Sequence, residues 1–129
     1  MSKPCVLIVE DNAVFRNTLR SILNAKTPQV NVVEAENARQ ALDKIRTTHP
    51  DLIFMDINLS NGNGLRLTEE IKSLFPEMLV FIITNYDSPE YREKAMENGA
   101  DLFLSKASLT EDIMVKTIEK FIPHQLSAC

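Results

Sequence analysis

The sequence predicts a doubly wound α/β domain, a five-stranded parallel sheet with helices on both faces. Short, unbroken apolar runs recur along the 129 residues, as strands buried on both faces require. Stretches with a helical apolar period separate them. Parallel neighbours need such crossovers, and the crossovers are right-handed.

The elements follow in order. Residues 6–9 form the first strand and end at Glu10-Asp11, after which Phe15, Leu19, Ile22 and Leu23 share one helix face. Residues 30–35 are the second strand. Ala38, Ala41, Leu42 and Ile45 stripe the next helix, and Asn37 with Gln40 has capping-box spacing. Pro50 stands just ahead of the third strand, residues 52–55, and Leu67, Ile71, Leu74 and Phe75 make a third helical stripe. Pro76 precedes the fourth strand, residues 79–83. Ser88-Pro89 places a cap before a first-turn proline, and Asn98-Gly99 fits a helix C-terminus. That 89–98 helix has the weakest stripe, Tyr91, Ala95 and Met96. Residues 102–104 are the fifth strand. Ser108 with Glu111 has capping-box spacing for the last helix, striped by Ile113, Ile118, Phe121 and Ile122.

Bulk properties narrow the function. The length suits one domain and one core, with residues 4–122 as its body and 123–129 as a short tail. A net charge of −4 and scattered basic residues give no general attraction for nucleic acid or an anionic membrane. The longest apolar runs, 5–9 and 78–83, are far too short to span a bilayer, and no signal peptide is visible. Cys5 and Cys129 make no disulfide framework, so the expected compartment is a reducing cytoplasm. His49 and His124 sit beside prolines and read as solvated.

In such sheets ligands bind outside the carboxyl ends of the strands. Glu10 and Asp11 follow the first strand, Asp56 the third, Thr84 the fourth and Lys106 the fifth. Glu36 and Asn37, after the second, look like an ordinary helix entry. One edge thus collects three carboxylates, a hydroxyl and an ammonium. Adjacent carboxylates such as Glu10 and Asp11 repel unless water or a cation offsets them. Oxygen ligands of this kind suit Mg²⁺ or Mn²⁺. A carboxylate beside such a metal is a competent nucleophile toward phosphorus. Thr84 could hydrogen-bond a phosphoryl oxygen, and Lys106 could neutralise another.

The E-D after strand one, F-M-D-I-N-L, I-I-T and G-A-D-L-F-L-S-K together resemble the receiver domain of bacterial response regulators. The resemblance covers the chain to about residue 122. It implies the strand order 2-1-3-4-5 of the flavodoxin-like fold and phosphoryl transfer from a histidine kinase, or a histidine phosphotransfer protein, to Asp56. It also implies Glu10, Asp11, Asp56 and the backbone carbonyl of Asn58 as metal ligands. Thr84 then matches the switch hydroxyl, Lys106 the phosphate-pairing ammonium and Phe103 the switch aromatic. Such a domain catalyses its own phosphorylation and dephosphorylation, yet acts as a signalling switch, a monomer or a phosphorylation-dependent dimer. The sequence departs from the family at Glu10, where many relatives have Asp. It departs again at Ser60 and Ala107, both common proline positions; without that proline the loop after Asp56 is expected to be more mobile.

Rivals fit less well. A flavodoxin-like electron carrier needs a Ser/Thr/Gly phosphate loop where Glu10-Asp11 would repel the phosphate. A haloacid-dehalogenase-type phosphatase expects a second acid where Asn58 stands. The serious alternative is the N-terminal receiver part of a DNA-binding regulator, although no stretch of this chain supplies a recognition helix.

Overall fold

The computed structural model describes residues 4–121. Five strands, β1 (Cys5–Val9), β2 (Asn31–Ala35), β3 (Leu52–Met55), β4 (Leu79–Thr84) and β5 (Leu102–Ser105), alternate with α1 (Ala13–Lys26), α2 (Ala38–Thr48), α3 (Gly64–Leu74), α4 (Pro89–Glu97) and α5 (Glu111–Phe121). All five strands run parallel in the order β2-β1-β3-β4-β5, as expected. Ile122, His124, Cys129 and the expected tail lie outside the described residues.

Alternate residues of the strands feed two separate cores, because successive side chains point to opposite faces. Leu7, Val9, Ile53, Met55, Val80 and Ile82 pack with Ala41 and Ile45 of α2, Leu65, Leu67 and Ile71 of α3, and Ala95 of α4. Val6, Ile8, Leu52, Phe54, Phe81 and Ile83 pack with Leu19 and Leu23 of α1 and Met114 and Ile118 of α5. Burial on both faces explains why the strands read as unbroken apolar runs. It also fixes register, since a slip by one residue would exchange the two cores. Among the described residues no helix is long and apolar enough to cross a membrane.

Several caps agree with the sequence. Asn37 Oδ1 accepts from Gln40 N–H, Ser88 Oγ from Tyr91 N–H, and Gly99 takes a left-handed φ of 99° just past α4. The box at α2 differs in detail, because Gln40 Oε1 accepts from the Glu36 amide. At α5 the expected Ser108 cap is displaced. Lys106–Ser108 is a 3₁₀ turn, and Thr110 Oγ1 instead accepts from Ile113 N–H. The buried stripe shifts with the cap: Met114, Thr117 and Ile118 face inward, while Ile113 is exposed. Leu74 is 57% exposed, since the last inward position of α3 is taken by its cap residue Phe75. In α4 only Ala95 is buried, and Tyr91 and Met96 face solvent.

Candidate functional site

Strand register carries directly into the site. Val9 pairs with Ala35 and Met55, Met55 with Ile82, and Thr84 with Ser105, so the residues after β1, β3 and β5 emerge along one edge of the sheet. Glu10 N–H donates to Ala35 O at 3.0 Å and Asp56 N–H to Val9 O at 3.1 Å. These bonds extend the ladder one residue past the strands and hold both backbones rigid.

One oxygen each of Glu10, Asp11 and Asp56 lies within 4.8 Å of the others. Lys106 Nζ reaches the same cluster, 2.7 Å from Glu10 Oε1 and 3.2 Å from Asp56 Oδ2. The three side chains are only 12% (Lys106), 3% (Glu10) and 9% (Asp56) exposed. The same Nζ lies 4.5 Å from the Phe15 ring centroid, a cation–π contact. Each acid is further pinned from the backbone: Glu10 Oε2 accepts from Asn12 N–H at 3.0 Å, and Asp56 Oδ1 from Ile57 N–H at 2.7 Å. Asp11 is exposed.

Burial pushes the Glu10 carboxyl above the ordinary range, aided by the charge of Asp56 and opposed by its bonds to Lys106 and Asn12. Burial also works against the Lys106 charge, but Glu10 and Asp56 outweigh it and raise the lysine pKa. The ammonium therefore stays charged among carboxylates. Three hard oxygen donors, clustered around a single counter-charge, are the chemistry a divalent cation of the Mg²⁺ type takes.

Thr84 lies fully buried at the end of β4, its Oγ1 accepting from Tyr86 N–H at 3.2 Å. Phe103, on β5, is 4% exposed, with the Arg92 guanidinium 4.8 Å from its ring centroid. Asn58 begins a two-residue antiparallel ladder with Asn63. The loop after Asp56 is thus a short hairpin, tied to α2 where Asn61 Oδ1 accepts from Ala38 N–H. Where a proline is common at Ser60 in the family, this loop has paired backbone and the Asn61 bond. The Lys106–Ala107 bond is trans, no cis peptide occurring among the described residues.

Sequence reasoning missed three contributors. Asn12 caps α1 and holds Glu10 at once. Gly64 starts α3 so close to the site that a Cβ there would sit 2.0 Å from the Asp56 carbonyl oxygen. Arg16 donates from Nη1 to the Glu10 carbonyl at 2.7 Å. A capping residue and a glycine were legible as types at helix entries; the arginine gave no signal. A groove of about 740 Å³ between α2 and α3 is lined by neither Asp56 nor Lys106.

The doubly wound sheet with an acidic cluster and a lysine at its carboxyl edge defines a signalling α/β domain of the receiver class. The response regulator receiver domain model matches residues 6–119, and the chain belongs to that family. It is 32% identical over 118 residues to the oxygen regulatory protein NreC of Staphylococcus haemolyticus, covering 89% of this chain and 54% of NreC. The chain spans about half the length of that curated relative. Among solved structures, a CheY-like receiver domain protein from Methanospirillum hungatei JF-1 superposes with a TM-score of 0.87 at 26% identity, covering 99% of this chain and 100% of the other. A response regulator from Burkholderia pseudomallei with a phosphorylated aspartic acid, calcium ion and citrate superposes with a TM-score of 0.78 at 27% identity, covering 97% and 69%.

Proposed function

We propose that Asp56 accepts a phosphoryl group from a histidine kinase or a histidine phosphotransfer protein, and that the modified domain changes its affinity for a downstream protein. The observation that carries this reading is the convergence of Glu10, Asp11 and Lys106 on Asp56. The phosphorylated aspartic acid and metal ion in the Burkholderia pseudomallei relative support it.

Glu10, Asp11, Asp56 and the Asn58 carbonyl would hold Mg²⁺, or Mn²⁺ in its place, which when bound offsets the carboxylate charge that repels an incoming phosphate. Asp56 Oδ1 is fixed by the Ile57 amide, so Oδ2 is the oxygen left to attack. The N–P bond of the phosphohistidine breaks as the Oδ2–P bond forms, and the imidazole keeps the electron pair. Lys106, whose Nζ now lies 3.2 Å from Oδ2, exchanges that oxygen for a phosphoryl oxygen. Thr84 gives up its bond from the Tyr86 amide and donates to the phosphoryl group, drawing the loop after β4 inward. Phe103 and α4 then respond as the switch.

The donor protein docks on α1 beside the acidic edge, where Val14 is 77% exposed. A second reading makes this chain the N-terminal receiver part of a longer DNA-binding regulator; the 54% coverage of NreC favours it. Under either reading the chain acts in the cytoplasm and does not itself contact DNA, its net charge being −4.

Incubation with a small acyl-phosphate donor and Mg²⁺ should add one phosphoryl group, abolished by Asp56→Asn and by excess EDTA. Labelling that survives either change would overturn the assignment. Val14→Asp should slow transfer from a protein donor and leave small-donor labelling intact.

A further inference from the structure

We propose that Arg16 is a positioning residue for the acidic seat, fixing the Glu10 backbone from outside the cluster. Resting on the phosphoacceptor reading of that seat, the role follows from how the guanidinium is spent. Nη1 donates to the Glu10 carbonyl at 2.7 Å, Nε lies 3.3 Å from Glu34 Oε1, and Nη2 lies 3.5 Å from Glu36 Oε1. Each nitrogen has a different partner on a different piece of chain: the β1–α1 turn, strand β2 and the β2–α2 turn. The side chain is 11% exposed although it carries a charge and stands only one turn into α1.

The anchor behind it is itself anchored. Arg20 Nη1 holds the other oxygen of Glu34 at 2.9 Å, so the Glu34 carboxylate is clamped between two guanidiniums. Glu34 faces Ile8 across the β1–β2 ladder, which ties the chain of contacts to the sheet itself. From Arg20 through Glu34 and Arg16, the line ends on the carbonyl of Glu10. With that bond every polar group of this buried residue is held: the amide by Ala35, the carbonyl by Arg16, one carboxylate oxygen by Lys106 and the other by Asn12. A cation binding there must pull Lys106 away from Glu10. The carbonyl contact then keeps the Glu10–Asp11 backbone in place while the side-chain partner changes.

Only a fork can do this. A lysine at position 16 would present a single point charge, able to reach the carbonyl or one carboxylate but not all three. Arg16 makes no hydrogen bond or ion pair with Asp56 or Lys106, so its effect passes through the position of Glu10.

The test is isothermal titration of the purified chain with Mg²⁺ alone, at a temperature where circular dichroism shows each variant fully folded. Arg16→Met should weaken Mg²⁺ binding about tenfold, as loss of an outer-sphere partner does. Arg16→Lys should weaken it nearly as much, whereas Glu36→Gln should leave it unchanged, since Glu36 is 59% exposed. Glu34→Gln should weaken binding by about threefold, less than loss of the guanidinium itself. Wild-type affinity in folded Arg16→Met would overturn the positioning role and leave the metal seat standing. If Arg16→Met does not fold, unchanged affinity in Glu34→Gln overturns it. A wild-type chain that binds no Mg²⁺ refutes the seat, and the role of Arg16 falls with it.

Discussion

Replacing Lys106 with Met should destabilise the cation-free protein by about 3–5 kcal/mol at neutral pH, because a buried carboxylate pair loses its counter-charge. The ammonium sits 2.7 Å from Glu10 and 3.2 Å from Asp56, with all three side chains at most 12% exposed. At an effective dielectric of about 20 each contact is worth about 5–6 kcal/mol before desolvation, which removes most of it. Met is of similar length and carries no charge, so the change removes the ammonium, with its contact to the Phe15 ring, at little cost in volume. The pH dependence has a definite sign. Burial raises the Glu10 pKa, so its ionised form costs stability, a cost absent below the ordinary value of 4.5 and growing as pH rises through the folded value. In the variant the lowering hydrogen bond from Lys106 is gone, and the cost at neutral pH is larger. The lysine pKa is raised, so the wild type keeps the stabilising pair until pH climbs through its folded value, above 10.5. Urea unfolding followed by circular dichroism should therefore show variant and wild type far apart at neutral pH and close together in mild acid. Mg²⁺ at about 100 times its dissociation constant should add about 2.7 kcal/mol to the variant, replacing the lost ammonium. A loss that is equal at both pH values and insensitive to Mg²⁺ would refute the charge argument.

Asp11→Ala should weaken Mg²⁺ affinity and raise the melting temperature of the cation-free protein, since it removes one of three mutually repelling carboxylates; calorimetry and titration read both. Gly64→Ala should cost about 1–3 kcal/mol or more in urea unfolding, with slower labelling of Asp56, because its methyl would meet the Asp56 carbonyl. Thr110→Ala should cost about 1 kcal/mol through the lost cap of α5, against a smaller effect of Ser108→Ala, measured as shifts in the urea midpoint.

Much of this fold was legible because burial on both faces leaves a signal that survives in one sequence. All five strand runs fall within a residue or two of the observed strands. The edge that carries Glu10, Asp11, Asp56 and Lys106 followed from strand ends alone, since register in a parallel sheet brings them together. What failed to show was local competition. Ser108 and Thr110 are both competent caps, and only the 3₁₀ turn at Lys106–Ser108 decides for Thr110. The hairpin after Asp56 rests on backbone pairing and the Asn61 side chain, neither of which has a hydrophobic period. Arg16 was invisible for the same reason: its partners lie 6, 18 and 20 residues away and share only a place at the sheet edge.

The same distinction bears on how the proposed switch would be held. Phe103 lacks the hydroxyl that could anchor a ring in one position, which suggests an element kept inward by packing alone. The structure adds a polar hold. Arg92 stacks on the Phe103 ring, donates to the Phe103 carbonyl at 3.4 Å and pairs with Asp87 at 3.1 Å. Asn98 Nδ2 ties the other end of α4 to the Leu65 carbonyl at 2.8 Å. With Ala95 its only buried side chain, α4 is therefore fastened at its ends by directional bonds while its body contributes little apolar area. Directional bonds break over small displacements, whereas apolar contact tolerates sliding. In the proposed switch, a pull on the loop from Thr84 to Asp87 would act on the Arg92–Asp87 pair, and the same guanidinium lies over the Phe103 ring. Movement of α4 and release of the ring would thus be joined through one side chain, which favours discrete positions over a continuum.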